Sequence, residues 1–237
     1  MSGVRVAGTV AAVVFPLAWS AVALPRLDVG VRGRTVATAG FATGYALTLR
    51  STPNWRSARG IRYGLLAAST VVAGYGAALT FPSVQQRAAA LHGRSPGVSL
   101  LEWVVVHIPI GTVYSEELIF RGTLDPLLDD SFGAGTGALL GAVIFGLWHI
   151  APARAAGDSV LGTVTTTTAG GLVFGALRRG TAGTAAPALL HLAINAGGAI
   201  APHLARRLDG RRLDHAPAPR VSARAGTMRK RKVRQAK

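Results

Sequence analysis

The chain has 237 residues, 49% of them hydrophobic and only 15% charged, with a mean hydropathy of +0.36. Soluble domains average about 25% charged residues, so this composition excludes an ordinary water-soluble globule and points to a chain that lives in lipid. The formal charge of +16 is concentrated at one end, where residues 205–237 hold 12 of the 26 Lys and Arg against Asp209 and Asp214, and the absence of Cys excludes disulfides, thiolate catalysis and Cys-ligated zinc.

A helix needs about 20 apolar residues to span the hydrocarbon core. Val4–Leu24 is the first such run, with Arg5 at its edge. Arg5 before it and Ala21-Val22-Ala23 at its end imitate a signal peptide, but Pro16 and Trp19 inside it fit a retained first span better. Thr35–Leu49 is uncharged but short, and Ile61–Phe81 carries only Arg62 at its edge. Ser99 to about Leu128 is apolar with charges inside it, and ends in an acidic loop, Asp125–Asp130. Gly133–Ile150, Ser159–Leu177 and Thr181–Leu204 contain no Asp, Glu, Lys or Arg. The expected fold class is all-α, a multi-pass transmembrane helix bundle of about seven spans.

Connections such as Pro25–Arg34 and Arg50–Arg62 are short and rich in Pro and Arg. Glycines recur at helical spacing in Gly133, Gly137 and Gly141, in Gly171 and Gly175, and in Gly40 and Gly44. Small residues four apart let helix backbones approach closely in lipid. Residues 205–237 hold too few apolar side chains to bury a core and read as a disordered tail. The positive-inside rule places that tail in the cytoplasm of a multi-pass cell-membrane protein, with anionic lipid headgroups as its partner. No aromatic residues interleave its charges, so nucleic acid is not expected as a partner. Abundant Ala, Gly and Arg, with almost no Lys before the tail, are the composition of a high-GC bacterial genome. The chain divides into residues 1–97, N-terminal transmembrane helices and loops; residues 98–204, a bundle that carries the chemistry; and the tail.

Ionisable groups inside a bilayer are costly, roughly 2.5–3.5 kcal/mol each on insertion scales, and are functional candidates for that reason. They fall in three places. Glu116-Glu117-Leu118-Ile119-Phe120-Arg121 puts two carboxylates in an apolar helix. Neighbours there are about 100° apart, so Glu116 and Glu117 cannot share one face. Glu117 and Arg121, four apart, stack on one side, which predicts an ion pair that leaves Glu116 free as a base. The structural alternative is a solvated cluster at a helix end. His149 follows Phe145 by four residues and adjoins Trp148, and reads equally as a packed interfacial residue. His191 and Asn195, also four apart, share a face in an otherwise apolar stretch of their span, and read equally as an interhelical hydrogen bond. Brought together, a carboxylate base, two imidazoles and an amide donor suffice for amide hydrolysis.

The ordered set Glu116, Glu117 and Arg121, then Phe145 and His149, then His191 and Asn195 resembles the Glu-Glu-x-x-x-Arg, Phe-x-x-x-His and His-x-x-x-Asn motifs of the CAAX protease and bacteriocin-processing family (CPBP, also called Abi) of intramembrane endopeptidases. Gly122 fits the common pattern too. The resemblance covers about residues 98–204. It implies a helical bundle with a site opening to the cytosolic side, and an intramembrane endopeptidase acting on membrane-associated or secreted peptide or protein substrates. It implies catalytic roles for Glu116, Glu117, His149, His191 and Asn195, with Arg121 and Phe145 supporting. In one version Glu116 and His149 activate the water while His191 and Asn195 stabilise the oxyanion. In the other a divalent metal such as zinc sits among Glu116, His149 and His191. Asn195 is a poor zinc ligand, which favours the metal-independent version. The competing readings are a catalytically silent membrane scaffold or bacteriocin-immunity protein, and an ion-coupled transporter, against which no inverted repeat is apparent. No His-Glu-x-x-His occurs.

Overall fold

The computed structural model describes residues 3–94 and 97–214. Among them there is no β-strand. The first helix, α1, runs Gly3–Ala18 and continues through a π-helical turn, Trp19–Ala23, to Leu24–Arg26. Then come α2 (Val31–Thr48), α3 (Ala58–Ala78) and α4 (Pro82–Ala90). The long α5 is wound in contiguous stretches: Leu100–Glu102, π-helical Trp103–Tyr114, Ser115–Glu117, π-helical Leu118–Leu124 and Asp125–Phe132. The described residues finish with α6 (Ala134–Trp148), α7 (Ile150–Ala156), α8 (Val160–Thr181) and α9 (Ala185–Asp214).

Local chemistry sets several boundaries. Ser57, Ser99 and Ser159 precede α3, α5 and α8, and each side-chain oxygen accepts a first-turn N–H, from Gly60 at 3.0 Å, Glu102 at 3.1 Å and Gly162 at 3.2 Å. Gly133, at φ 81°, makes the turn between α5 and α6.

The core gathers around α5. Ile119, Phe120 and Leu124 are fully buried against Phe145 and Trp148 of α6 and Phe174 of α8, with Ala12 of α1 and Tyr45 of α2 closing the far side. α9 lies mainly on α3 and α4. The backbones there come so close that a methyl group on Gly64 would stand 2.9 Å from the Ala186 Cα. Phe15, Leu47, Leu66, Leu139 and Leu161 point outward. Large apolar side chains spread over the outer surface are what a lipid-facing bundle requires.

Four of these helices are long and apolar enough to cross a membrane, within Gly8–Arg26, Ala134–Ala156, Val160–Thr181 and Ala185–Asp209; α3 and α4, bent by 103° at their break, make a fifth if taken as one span. Among the described residues the expected count of about seven is therefore not confirmed. Thr35–Leu49 is part of a helix that opens with Arg32 and Arg34. Ser99–Leu128 fails because Glu102, His107, Glu116, Glu117 and Arg121 lower its hydropathy. The acidic loop is also corrected: Asp125–Phe132 is helical, Asp125 is buried, and Asp129 accepts from Arg179 at 3.0 and 2.7 Å and pairs with Arg178. The tail starts later than expected, because α9 continues through Asp214 and Ala205 is fully buried beside Leu79 and Ala201. Residues 215–237, the rest of the expected disordered tail, lie outside the described residues. Gly40 and Gly44 of α2 do not pack against a neighbour, and instead line an open groove with Val106 and Ile110 of α5.

Candidate active site

Three helices bring the ionisable residues to one place. Glu116 and Glu117 sit on the short α-helical stretch of α5 between its two π-wound stretches, a winding that often marks functional sites. His149 caps the C-terminal end of α6. His191 lies in the second turn of α9. Docking of that turn comes from the α2–α3 connection: the Asn54 carbonyl accepts the Thr184 N–H at 2.9 Å, and the Ser57 hydroxyl donates to the Thr181 carbonyl at 3.1 Å.

The hydrogen bonds fix how the rings present themselves. His149 Nδ1 lies 2.8 Å from the Phe145 carbonyl oxygen. A carbonyl only accepts, so Nδ1 carries the hydrogen and Nε2 is the free edge. His191 Nδ1 lies 2.8 Å from Glu117 Oε1 and donates to that carboxylate. Both Nε2 atoms then face Glu116 Oε2, each at 3.8 Å. That separation is too long for a direct hydrogen bond. Glu116 Oε2 is buried without a hydrogen-bond partner, while Oε1 accepts from the Trp148 indole N–H at 3.2 Å. One carboxylate oxygen and two imidazole edges thus converge on a small shared volume.

Glu117 and Arg121 form the expected ion pair, though a long one. Their nearest atoms, Oε2 and Nε, are 3.6 Å apart, while the short contact of Glu117 goes to His191. The two glutamates do leave α5 in different directions, yet both reach His191, which lies between them. Arg121 is 2% exposed, and its guanidinium lies over Phe145 at 4.3 Å, with Phe174 at 5.2 Å and Phe120 at 5.7 Å. Ring faces carry partial negative charge, so three of them cradle a cation that water does not reach. Phe145 has a second task, because its ring meets His149 edge-on at 4.8 Å. Phe174 stacks on His191 at 4.9 Å.

Residues 98–197 match the model of a family described as type II CAAX prenyl endopeptidase Rce1-like. That segment is similar to the family whose motifs the sequence resembles. It contains the Glu116, His149 and His191 stretches in full, and the first 97 residues lie outside it. No curated protein and no solved structure matches the chain.

Within the matched segment, Glu116, Glu117, Arg121, Phe145, His149 and His191 are brought together. Asn195 is one helical turn beyond His191, half-buried, and its amide makes no hydrogen bond among the described residues. Trp148 is the site residue that the motifs do not mark; a Trp near a helix end reads as an interfacial anchor. A second polar group on α5 also went unmarked. His107, 2% exposed, lies between Thr35 Oγ1 at 2.7 Å and Glu102 Oε1 at 3.1 Å, and Glu102 accepts both arms of Arg32 at 2.7 and 3.0 Å. Glu116, His149 and His191 are a donor set of the kind that binds catalytic zinc. As they stand, however, no three His, Asp or Glu side chains among the described residues could hold a metal ion.

Proposed function

We propose that this protein is an intramembrane endopeptidase that hydrolyses peptide bonds of membrane-associated or secreted peptides with a water activated by Glu116 and His149. The observation that carries the reading is the convergence of Glu116 Oε2 with two Nε2 edges, 3.8 Å from each, in a site shielded from solvent. Two acceptors, Glu116 Oε2 and the neutral His149 Nε2, suit the two hydrogens of one water and leave its lone pair for attack. As the water oxygen bonds to the scissile carbonyl carbon, its proton passes to Glu116 Oε2. Negative charge develops on the carbonyl oxygen. His191 supplies a donor there: with a proton on Nε2 the ring is cationic, and the Glu117 carboxylate at Nδ1 offsets that charge. Asn195 on the same face offers its amide as a second donor once substrate is bound. Collapse of the tetrahedral intermediate breaks the C–N bond, and the proton held by Glu116 goes to the departing amine. Trp148 holds the other carboxylate oxygen and so directs Oε2 at the water.

Membrane embedding follows from the apolar helices and the outward-facing apolar side chains, and the buried ionisable residues of α5 then face the bundle interior rather than lipid. The basic C-terminal stretch is read as cytoplasmic and apposed to anionic lipid.

The test compares newly generated protein N-termini in host membranes carrying the wild type with those carrying Glu116→Gln at matched levels. Gln keeps an acceptor for Trp148 but cannot serve as the base. Termini found only with the wild type are expected. The same termini with both proteins would remove Glu116 as base, and no wild-type termini at all would favour a silent membrane scaffold.

A further inference from the structure

Proline has no N–H, so within a helix it leaves the carbonyl four residues earlier without its usual donor. At Pro16, Pro126 and Pro152 a hydroxyl from a distant part of the chain occupies that acceptor. Tyr45 donates to the Ala12 carbonyl at 2.8 Å, Ser51 to the Gly122 carbonyl at 2.6 Å and Ser20 to the Trp148 carbonyl at 2.6 Å. A buried carbonyl left bare is destabilising, so each hydroxyl fixes a helix where its own hydrogen-bond ladder is interrupted.

Two of these three carbonyls belong to the candidate site. Trp148 directs Glu116 through its indole, and its carbonyl begins the peptide that leads into His149. Gly122 directly follows Arg121. Both donors come from the part of the chain outside the family match. Neither hydroxyl is placed casually. Ser20 is 4% exposed on the π-helical turn of α1, beside Trp19, whose indole stacks on Phe41 at 4.4 Å and 5°. Ser51 follows Arg50, which adopts a left-handed φ of 52° at the end of α2, and the Ser51 N–H returns to the Ala46 carbonyl at 2.9 Å. A non-glycine residue keeps that conformation only where its surroundings impose it.

We infer that Ser20, and to a smaller degree Ser51, are positioning residues of the Glu116 centre: they supply the hydrogen bonds that Pro152 and Pro126 withhold, and so hold Trp148, His149 and Arg121 at their places around the carboxylate. The inference makes the N-terminal helices part of the working site rather than a membrane anchor attached to it. Its kinetic consequences rest on the peptidase reading, but its structural core does not.

Two measurements on the full-length protein separate the two. In detergent, with ¹⁵N in the Trp indoles and the Trp148 N–H resonance assigned by its loss in Trp148→Phe, Ser20→Ala is expected to shift that resonance by more than its linewidth while those of Trp55 and Trp103 stay in place. Ser20→Thr, which keeps the hydroxyl, should leave it unmoved. Pro152→Ala restores a backbone N–H, and in the Ser20→Ala background it should move the resonance back. An unmoved Trp148 resonance in Ser20→Ala overturns the inference whatever the protein's activity. The second measurement uses a synthetic peptide spanning a cut site found with the wild type. There Ser20→Ala should lower kcat about tenfold with KM within about twofold, since disordering the catalytic groups weakens the transition state more than the bound substrate, and Ser51→Ala should lower it about threefold. Wild-type kcat in Ser20→Ala would again overturn it. If the wild type makes no cuts, the peptidase reading falls and the indole resonance still decides the role of Ser20.

Discussion

Residues 3–94 and residues 97–214 bury polar groups of different kinds. In the second region, His107, Glu116, Glu117, Arg121, Asp125 and His191 are all buried. In the first, the buried polar side chains are Thr9, Ser20, Thr38 and Gln85, all neutral. Its cations lie at the surface, as Arg32 does with 78% of its side chain exposed. An ionised group without water needs a counter-charge or a function, whereas a hydroxyl needs only one acceptor. On the proposed reading the first region shapes and the second reacts. The two meet where serine hydroxyls from one fill carbonyl gaps in the other.

The sharpest way to break this comparison is at Glu116. Glu116→Gln should lower the cleavage rate about a thousandfold, within the range of losing a general base, with the yield of folded protein unchanged; a rate within tenfold of wild type would remove the base from the second region. Next comes Glu117→Ala, which leaves Arg121 as a buried charge without its carboxylate. Breaking a buried pair by removing one partner is destabilising by about 3–5 kcal/mol, which thermal unfolding in detergent would read. Trp148→Phe keeps most of the ring packing against Phe120 but removes the N–H to Glu116, and should lower kcat about tenfold without a comparable loss of stability. At the small end, Arg32→Gln breaks the surface ion pair that links the first region to Glu102 of the second. With Arg32 so exposed and the pair screened by solvent, thermal unfolding should move little. A loss as large as that of Glu117→Ala would erase the distinction drawn here. Smallest of all is the effect expected from a chelator: if the water is activated by Glu116 and His149 alone, treating the purified protein with EDTA should leave the rate within about twofold, and a loss restored by zinc would put a metal among Glu116, His149 and His191.

Much of the site was legible in the sequence, because Glu, Arg and His are rare in apolar helices and their order along the chain is distinctive. What spacing could not supply was direction. Four-residue separation placed Arg121 beside Glu117, but the aromatic cradle of Phe120, Phe145 and Phe174 draws the guanidinium toward ring faces contributed by three helices. The same spacing placed Asn195 beside His191 without showing whether its amide would meet anything. The span count stays unconfirmed where apolar runs carry charge: α5 is polar along one side because it carries the candidate site, and α2 begins with arginines. The acidic stretch read as a loop because its partners, Arg178 and Arg179, lie about 50 residues further on. Ser20 and Ser51 left no signal at all. A lone serine within or after an apolar run is common, and only the fold shows that a proline far along the chain has left a carbonyl for it.

The edge of the family match near residue 98 is thus a boundary of similarity but not of construction. A chain started there would present the carbonyls of Trp148 and Gly122 without donors, and would strip α9 of the α3 surface on which Gly64 meets Ala186. Transplanting the reactive helices between proteins would accordingly require bringing their distant serines with them, or replacing the prolines that made those serines necessary.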